Sequence, residues 1–265
     1  MESVPEDLGV LLVEQFRAQM NNLAAAVQLL TPVVQEKAGP QYEPYLAILH
    51  QSLYRMMRML GNLEYLQLPE SELTMEKTSL DLAGLCRRLG EQVDSLAGQA
   101  GLEFSYEEER GSLITTGDGT LLRRMLLGLL ANAFRAAGKG GHTGLRLAVR
   151  EERAILTVWD DGPGMALEVD PAEEQDPLHR PTGLGLGLRV ARRIAALHGG
   201  TIVFEQREDR GCRAVVSLPI QPPEAGRVLC TPRADWDRSG GFSDLMVELS
   251  AVLPYEAFFP RELES

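Results

Sequence analysis

Residues 160–165 read DDGPGM, two acidic residues followed by a Gly-Pro-Gly turn. The stretch closes an alternating apolar run, residues 154–159, which is typical of a β-strand. Two interpretations of Asp160 are open. It can end the strand and begin a turn, as Asp, Gly and Pro all favour. It can also be a buried acceptor for an exocyclic amine, with glycines that let a flat ring approach the backbone closely.

Composition bounds the class of protein. The sequence has 265 residues, a net charge of −12 and 44% hydrophobic residues, as expected for folded protein of one large or two smaller domains. The acidic charge repels phosphate backbones, so no nucleic-acid partner is predicted. Cys86, Cys212 and Cys230 show no metal-ligand spacing and cannot all pair, which predicts a cytoplasmic location. No membrane span or signal peptide is predicted.

The first 70 residues show helical periodicity in two stretches, separated by a Gly- and Pro-containing break at 36–44. This pattern predicts a hairpin of two amphipathic helices. A lone hairpin leaves its apolar stripe exposed, so a homodimer that forms a four-helix bundle is predicted; packing on the downstream domain is the alternative. The stripe comprises Leu12, Phe16, Met20, Leu23, Val27 and Leu30, then Leu46, Leu49, Leu53, Met56, Leu60 and Leu63.

Residues 71–221 mix helical and strand patterns and predict a second domain. Helices are predicted at 80–99, 117–138 and 187–200, and strands at 102–109, 145–160 and 201–220. The fold class is therefore α+β: a helical hairpin at 1–70, followed by an α/β sandwich with helices on one face of a mostly antiparallel sheet. A C-terminal extension at 222–265 contains an amphipathic helix, which either packs on its own domain or docks a partner.

Asn132 lies within the apolar helix 121–137 and must find polar partners there. It can cap a neighbouring loop, or it can donate an oxygen to Mg²⁺, a hard cation that takes oxygen ligands. Arg135 follows one turn later on a nearby face and can contact phosphate oxygens.

The run TGLGLGL at 182–188 leads directly into a helix, whose free N–H groups favour anions. Its spacing matches neither a P-loop nor a dinucleotide-binding turn. The preceding segment, 166–180, is polar and acidic and predicts a mobile loop. Between a base-reading turn and a phosphate-binding turn such a loop would act as a lid; a plain surface loop is the alternative.

Three motifs in this order resemble the N, G1 and G2 boxes of the GHKL ATPase superfamily: LLANA around Asn132, DDGPG, and TGLGLGL ending in HGG. They are most similar to the catalytic domain of sensor histidine kinases, and the resemblance runs from about residue 73 to 219. It implies that Mg-ATP binds here. By position, Asp160 would read the adenine amine, Asn132 would bind Mg²⁺ and Arg135 would contact phosphate. The remaining nucleotide-binding positions would be Gly162, Gly164, Thr182, Gly183, Leu184, Gly185, Leu186 and Gly187.

The resemblance also implies phosphoryl transfer in a two-component pathway, a homodimer through the hairpin and a response regulator as partner. The first helix departs from the family pattern, because Ala18 stands at the phosphoacceptor histidine and Gln19 at the acidic base. Position 18 lies off the apolar stripe and is predicted to be exposed. His50 on the second helix is a speculative alternative acceptor, or a polar residue flanking the bundle.

Two functions therefore remain open from the sequence. One is a histidine-kinase-like protein that transfers a phosphoryl group. The alternative is a catalytically impaired pseudokinase, an ATP-responsive dimeric scaffold for a partner protein. Gly128 stands four residues before Asn132, where hydrolase branches of the superfamily carry a glutamate, which argues against strong ATP hydrolysis.

Overall fold

The computed structural model describes residues 6–69, 72–164, 185–222 and 242–259. Backbone contacts divide the chain into two compact units, residues 1–73 with 235–265, and residues 74–234. The helices are α1 (Glu6–Ala38), α2 (Glu43–Gln67), α3 (Leu82–Gln99), α4 (Gly119–Ala137), α5 (Leu186–Leu197) and α6 (Asp244–Leu249). The strands are β1 (Thr78–Asp81), β2 (Glu103–Glu108), β3 (Ile114–Gly117), β4 (His142–Arg150), β5 (Arg153–Asp160), β6 (Thr201–Gln206) and β7 (Cys212–Pro219).

The first unit contains the helical hairpin. Helices α1 and α2 are joined by a 3-10 turn, Pro40–Tyr42, where the sequence predicts the break. Contacts between the helices bury Val13, Ala24 and Val27 on α1, with Leu46 and Leu53 on α2. The hairpin therefore has an inner apolar face of its own.

A second apolar face of the hairpin is exposed. We call it the exposed stripe, and it comprises Leu12, Phe16, Leu23 and Leu30 of α1 with Leu49, Met56 and Leu63 of α2. These are seven of the residues whose spacing predicts the hairpin. Their periodicity marks a face that a single chain leaves uncovered.

A C-terminal segment, residues 242–259, packs on α2 within the same unit. It contains α6 and a 3-10 turn, Tyr255–Phe258. Tyr54 of α2 lies between two aromatic rings of this segment, with centroids 5.1 Å from Phe242 and 5.3 Å from Phe258. Phe258 is completely buried, so the segment forms part of the core of this unit.

Polar contacts fix the position of the segment along α2. Gln51 Nε2 donates a hydrogen bond to the Leu253 carbonyl at 2.7 Å. Arg58 Nε pairs with Glu248 Oε2 at 3.1 Å, and both side chains are almost buried. A buried charge without a partner is costly, so this pair specifies one alignment of the segment.

The second unit contains a five-stranded sheet of order β2-β4-β5-β7-β6. The β2–β4 pair is parallel, and the other pairs are antiparallel. Helices α3, α4 and α5 contact its strands, and alternate residues of β5 are buried. These observations confirm the α+β class. Strands β1 and β3 form a separate two-stranded antiparallel sheet. The sequence does not predict this sheet, because each of its strands has only four residues.

Helix α4 forms the centre of the second unit. Asp118 caps its N-terminus, because Oδ1 accepts hydrogen bonds from the backbone N–H groups of Thr120 and Leu121, each at 3.0 Å. Gly138 ends it with a positive φ of 67°. Its side chains include several of the largest fully buried ones, Leu122, Met125, Leu126, Leu127, Leu130 and Phe134. This packing fixes α4 against the sheet.

Candidate functional site

Asp160 is the last residue of β5, and only 5% of its surface is exposed. Its Oδ1 accepts hydrogen bonds from the backbone N–H of Gly162 at 3.0 Å and of Cys212 at 3.3 Å. The residue therefore both closes the turn and places a carboxylate inside the protein. The structure thus shows the turn and the burial of Asp160. Its role as an acceptor for an exocyclic amine stays a prediction.

Glycines surround Asp160 because nothing larger fits. A Cβ on Gly162 would lie 2.2 Å from the Ala136 carbonyl oxygen at the end of α4. A Cβ on Gly211 would lie 2.0 Å from the Asp160 carbonyl oxygen, and Gly211 also has a φ of +89°. These approaches hold the strand end against α4 on one side and the β6–β7 turn on the other.

The surroundings of Asp160 shift the pKa of its carboxyl in opposite directions. Burial raises the pKa of its carboxyl above the ordinary value, and the neighbouring Asp161 adds to the rise. The N–H groups of Cys212 and Gly162 and the charge of Arg207 lower the pKa. The ionised carboxylate therefore depends on these donors.

Asn132 lies on α4 at the position that the sequence singles out. Its Nδ2 is buried and has no hydrogen-bond partner among the residues that the structure describes. An unsatisfied buried amide nitrogen is costly, so we expect Nδ2 to meet an acceptor beyond the described residues. Arg135 follows on the same helix and is exposed.

Asn132 is the residue of this region that could offer an oxygen to Mg²⁺. Within the described ranges no group of three or more His, Cys, Asp or Glu side chains can hold a metal. Mg²⁺ keeps several waters and binds one or two protein oxygens together with substrate phosphates. One amide oxygen from Asn132 suits that coordination.

The start of α5 supplies the third part of the site. Gly185 precedes the helix with a left-handed φ of 66°, and Leu186 and Gly187 form its first turn. The backbone N–H groups of a first helical turn are free to bind anions. Thr182, Gly183 and Leu184 lie outside the described residues, as does the predicted lid at 166–180.

His198 has a structural role in the second unit. It lies at the end of α5, where its Nδ1 is 2.8 Å from the Ile194 carbonyl. Its Nε2 accepts the backbone N–H of Asp118 at 3.0 Å. Both nitrogens are thus used by a neutral ring, and burial lowers the pKa of His198. The contact joins the end of α5 to the start of α4.

The sequence does not predict the residues of the β6–β7 turn that contact the Asp160 backbone, Arg207 and Gly211. Arg207 Nη1 donates to the Asp160 carbonyl at 2.9 Å, and its guanidinium lies 4.6 Å from the centre of the Trp159 ring. Gly211 closes the same turn. The sequence indicates only a turn here, from the residues EDRG at 208–211. This pattern does not reveal which strand the turn approaches.

The hairpin residues considered as phosphoacceptors lie in different environments. Ala18 is exposed on α1, and the adjacent Arg17 pairs with Glu64 of α2. His50 is buried on α2, with Nε2 3.4 Å from Thr31 Oγ1. Burial lowers the pKa of His50.

Comparisons with known proteins agree with this geometry. Residues 117–222 match the family of histidine kinase-, DNA gyrase B- and HSP90-like ATPases. The sensor protein CutS of Streptomyces coelicolor is 34% identical over 160 residues, which cover 55% of this chain and 37% of CutS. The sensor protein QseC of Salmonella typhimurium is 30% identical over 207 residues, covering 75% of this chain and 45% of QseC. The chain thus spans less than half the length of these relatives.

A solved structure extends the likeness to the fold. Full-length ShkA in complex with AMPPNP superposes with a TM-score of 0.65 at 22% identity, covering 84% of this chain and 47% of ShkA. The complex of the histidine kinase ThkA with the response regulator TrrA gives a TM-score of 0.53 at 22% identity, covering 80% of this chain and 61% of that chain. At this identity both comparisons bear on fold alone.

Residues 117–222 form an ATPase domain of the GHKL class, which contains Asn132, Asp160 and the start of α5. The relatives of at least 30% identity named above are sensor proteins, and this chain is similar to them over residues that include the ATPase-like segment. The resemblance found in the sequence is confirmed. None of the helices described is long and apolar enough to span a membrane.

Proposed function

We propose that this protein binds Mg-ATP and serves phosphoryl transfer in a two-component signalling pathway. The observation that carries the proposal is the buried carboxylate of Asp160, held by two backbone N–H groups in a turn that only glycine fits. Such a carboxylate, kept ionised, accepts a hydrogen bond from the amine of adenine.

The other site residues take roles along the nucleotide. Gly162 and Gly164 would form the wall of the adenine pocket, and Asn132 would offer its amide oxygen to Mg²⁺. Bound Mg²⁺ would neutralise phosphate charge. Arg135 would contact a phosphate oxygen. The phosphate end would be bordered by Thr182, Gly183, Leu184, Gly185, Leu186 and Gly187.

This arrangement favours transfer over hydrolysis. Phosphoryl transfer depends mainly on positioning and on neutralising charge, and it needs little acid–base chemistry from the protein. Gly128 offers no side chain at the position where a hydrolase would carry a water-activating glutamate. We therefore expect slow background hydrolysis of ATP and transfer of the phosphoryl group to a protein acceptor.

We infer that the acceptor is a histidine of a partner protein. Ala18 has no nucleophilic atom, and Gln19 cannot act as a base. His50 is 5% exposed, so it would have to leave its contact with Thr31 before it could accept a phosphoryl group. Phosphorylation of His50 remains a prediction. A response regulator as partner and a cytoplasmic location also remain predictions.

The exposed stripe supports a homodimer. Large apolar surfaces that face water mark interaction sites, and this stripe runs along both helices of the hairpin. A second copy would cover it as a four-helix bundle. The Mg-ATP site would then be present twice in the assembly.

The alternative, a catalytically impaired scaffold, rests on Ala18 and is not favoured by the sensor kinases among the relatives. A labelling experiment separates the two functions. Purified protein is incubated with γ-labelled Mg-ATP, alone and with a candidate histidine-containing partner, beside Asp160→Asn. Acid-labile label on either protein, absent with Asp160→Asn, supports transfer. No label on any acceptor, despite ATP binding, would support the scaffold.

A further inference from the structure

A stack of three side chains lies around Trp159, the residue before Asp160. The Arg207 guanidinium lies 4.6 Å from the centre of the Trp159 ring. The ring of His142 meets the same indole edge-to-face, with centroids 4.9 Å apart. Trp159 alternates with the buried residues of β5, so the stack lies on the sheet face opposite Asp160. None of the three residues is among those that the sequence predicts to bind the nucleotide.

The stack reaches Asp160 through the backbone. The pairing of β5 with β7 runs from Arg153 opposite Pro219 to Trp159 opposite Arg213, and it stops before Asp160. Arg207 Nη1 donates to the Asp160 carbonyl at 2.9 Å. A side chain thus supplies a donor just beyond the end of the strand pairing.

Other contacts hold Arg207 in place. Its own N–H donates to the Gly211 carbonyl at 2.9 Å, which closes the turn between β6 and β7. Stacking on the indole orients the planar guanidinium. On the other side of Asp160, the backbone N–H of His142 donates to Asp161 Oδ1 at 2.8 Å. The end of β5 is therefore held by β4 on one side and by the β6–β7 turn on the other.

We propose that Arg207 is a positioning residue that aims the Asp160 carboxylate and so sets a preference for purines that carry a 6-amino group. The inference rests on the proposed ATP-binding function. Without Arg207 the strand end loses a hydrogen bond to its carbonyl and a stacked cation. We therefore expect the backbone of Asp160 to shift and to carry its carboxylate away from the direction in which an amine would approach, even though Gly162 and Cys212 still donate to Oδ1.

The charge of Arg207 acts in the same direction. It opposes the burial that raises the pKa of Asp160, and so favours the ionised form. An ionised carboxylate accepts from an amine and repels a carbonyl oxygen. Inosine triphosphate, which carries a 6-oxo group instead of the amine, is therefore the discriminating probe.

The test is calorimetric titration of the full chain with Mg-ATP and with Mg-inosine triphosphate. Wild type should prefer ATP. In Arg207→Ala the dissociation constant for ATP should rise about tenfold, because the hydrogen bond from the adenine amine to the Asp160 carboxylate is lost. The dissociation constant for inosine triphosphate, which has no such amine, should change less than about twofold. Arg207→Lys keeps the charge without the planar stack and should fall between. Arg213→Ala, which removes an exposed pair with Glu205 on the same hairpin, is the matched control and should behave as wild type.

The outcomes are distinguishable. An equal rise for both nucleotides in Arg207→Ala, or no rise for either, overturns the positioning role while leaving ATP binding intact. Thermal unfolding of each variant shows whether an equal rise comes from loss of folded protein. If wild type itself binds no ATP, the proposed function fails, and the role of Arg207 fails with it.

Discussion

At the scale of single residues, the site depends on close backbone approaches. Asp160 and Cys212 are 52 positions apart in sequence, yet the carboxylate of one binds the N–H of the other. Residue type alone indicated Asp160 and Asn132, because an acidic turn and a polar residue in an apolar helix are unusual. It could not indicate Arg207 or Gly211, because their importance comes from a strand that they meet only in the folded protein.

Gly211→Ala should be strongly destabilising. The new Cβ would lie 2.0 Å from the Asp160 carbonyl oxygen at a φ of +89°. We expect a loss of about 2 kcal/mol or more in the free energy of unfolding, measured by urea denaturation. The control is Gly128→Ala, in the middle of α4, where the new Cβ would meet no described atom within 4 Å apart from its chain neighbours and the nearby backbone of its own helix. That change should be neutral or stabilise by up to about 1 kcal/mol; equal effects would refute the account.

His198 should make the second unit sensitive to acid. Its pKa is lowered in the folded protein, so the unfolded chain binds the proton more tightly. The stability is therefore fully present above the ordinary histidine pKa of about 6.5 and is lost as the pH falls below it. His198→Gln should have a lower free energy of unfolding than wild type at about pH 8. Between about pH 7.5 and 5.5, however, its free energy of unfolding should fall less than that of wild type, as measured by denaturant unfolding at each pH. Parallel pH curves for the two proteins would contradict this.

At the scale of elements, periodicity predicts the long helices well and their faces incompletely. The hairpin, α3, α4 and α5 all lie where spacing and capping residues indicate. The apolar residues of α1, however, serve two faces: Val13, Ala24 and Val27 point inward, and the exposed stripe points outward. One sequence pattern cannot separate these faces. The contact of the C-terminal segment with α2 was also beyond the sequence, because helical spacing does not name the surface that a helix covers.

The C-terminal segment should contribute substantially to the first unit. Phe258 is fully buried, and the Ser250 carbonyl accepts from Arg55 Nε at 3.1 Å. Phe258→Ala should cost about 3 kcal/mol of unfolding free energy. Tyr255→Ala, in the same 3-10 turn but 37% exposed, should change it by less than about 0.5 kcal/mol. Similar, small losses in both variants would show that the segment does not pack on α2 in solution.

At the scale of the whole molecule, the proposed homodimer would contain two ATP sites. Phe16 belongs to the exposed stripe and is 63% exposed. Phe16→Glu should weaken the dimer about tenfold or more, measured as the dissociation constant by sedimentation equilibrium. Gln28→Glu adds the same charge on the far side of α1 and should leave the dimer unchanged. A monomeric wild type would exclude the four-helix bundle.

The central claim is that Asp160 reads the adenine of ATP, and calorimetric titration of Mg-ATP into wild type and Asp160→Asn tests it most directly. Asparagine retains an oxygen for the N–H groups of Gly162 and Cys212 but replaces the outer carboxylate oxygen with a donor. Wild type should bind, and the variant should bind at least about tenfold more weakly with unchanged thermal stability. Equal affinities would show that Asp160 only closes a turn, and would contradict the account.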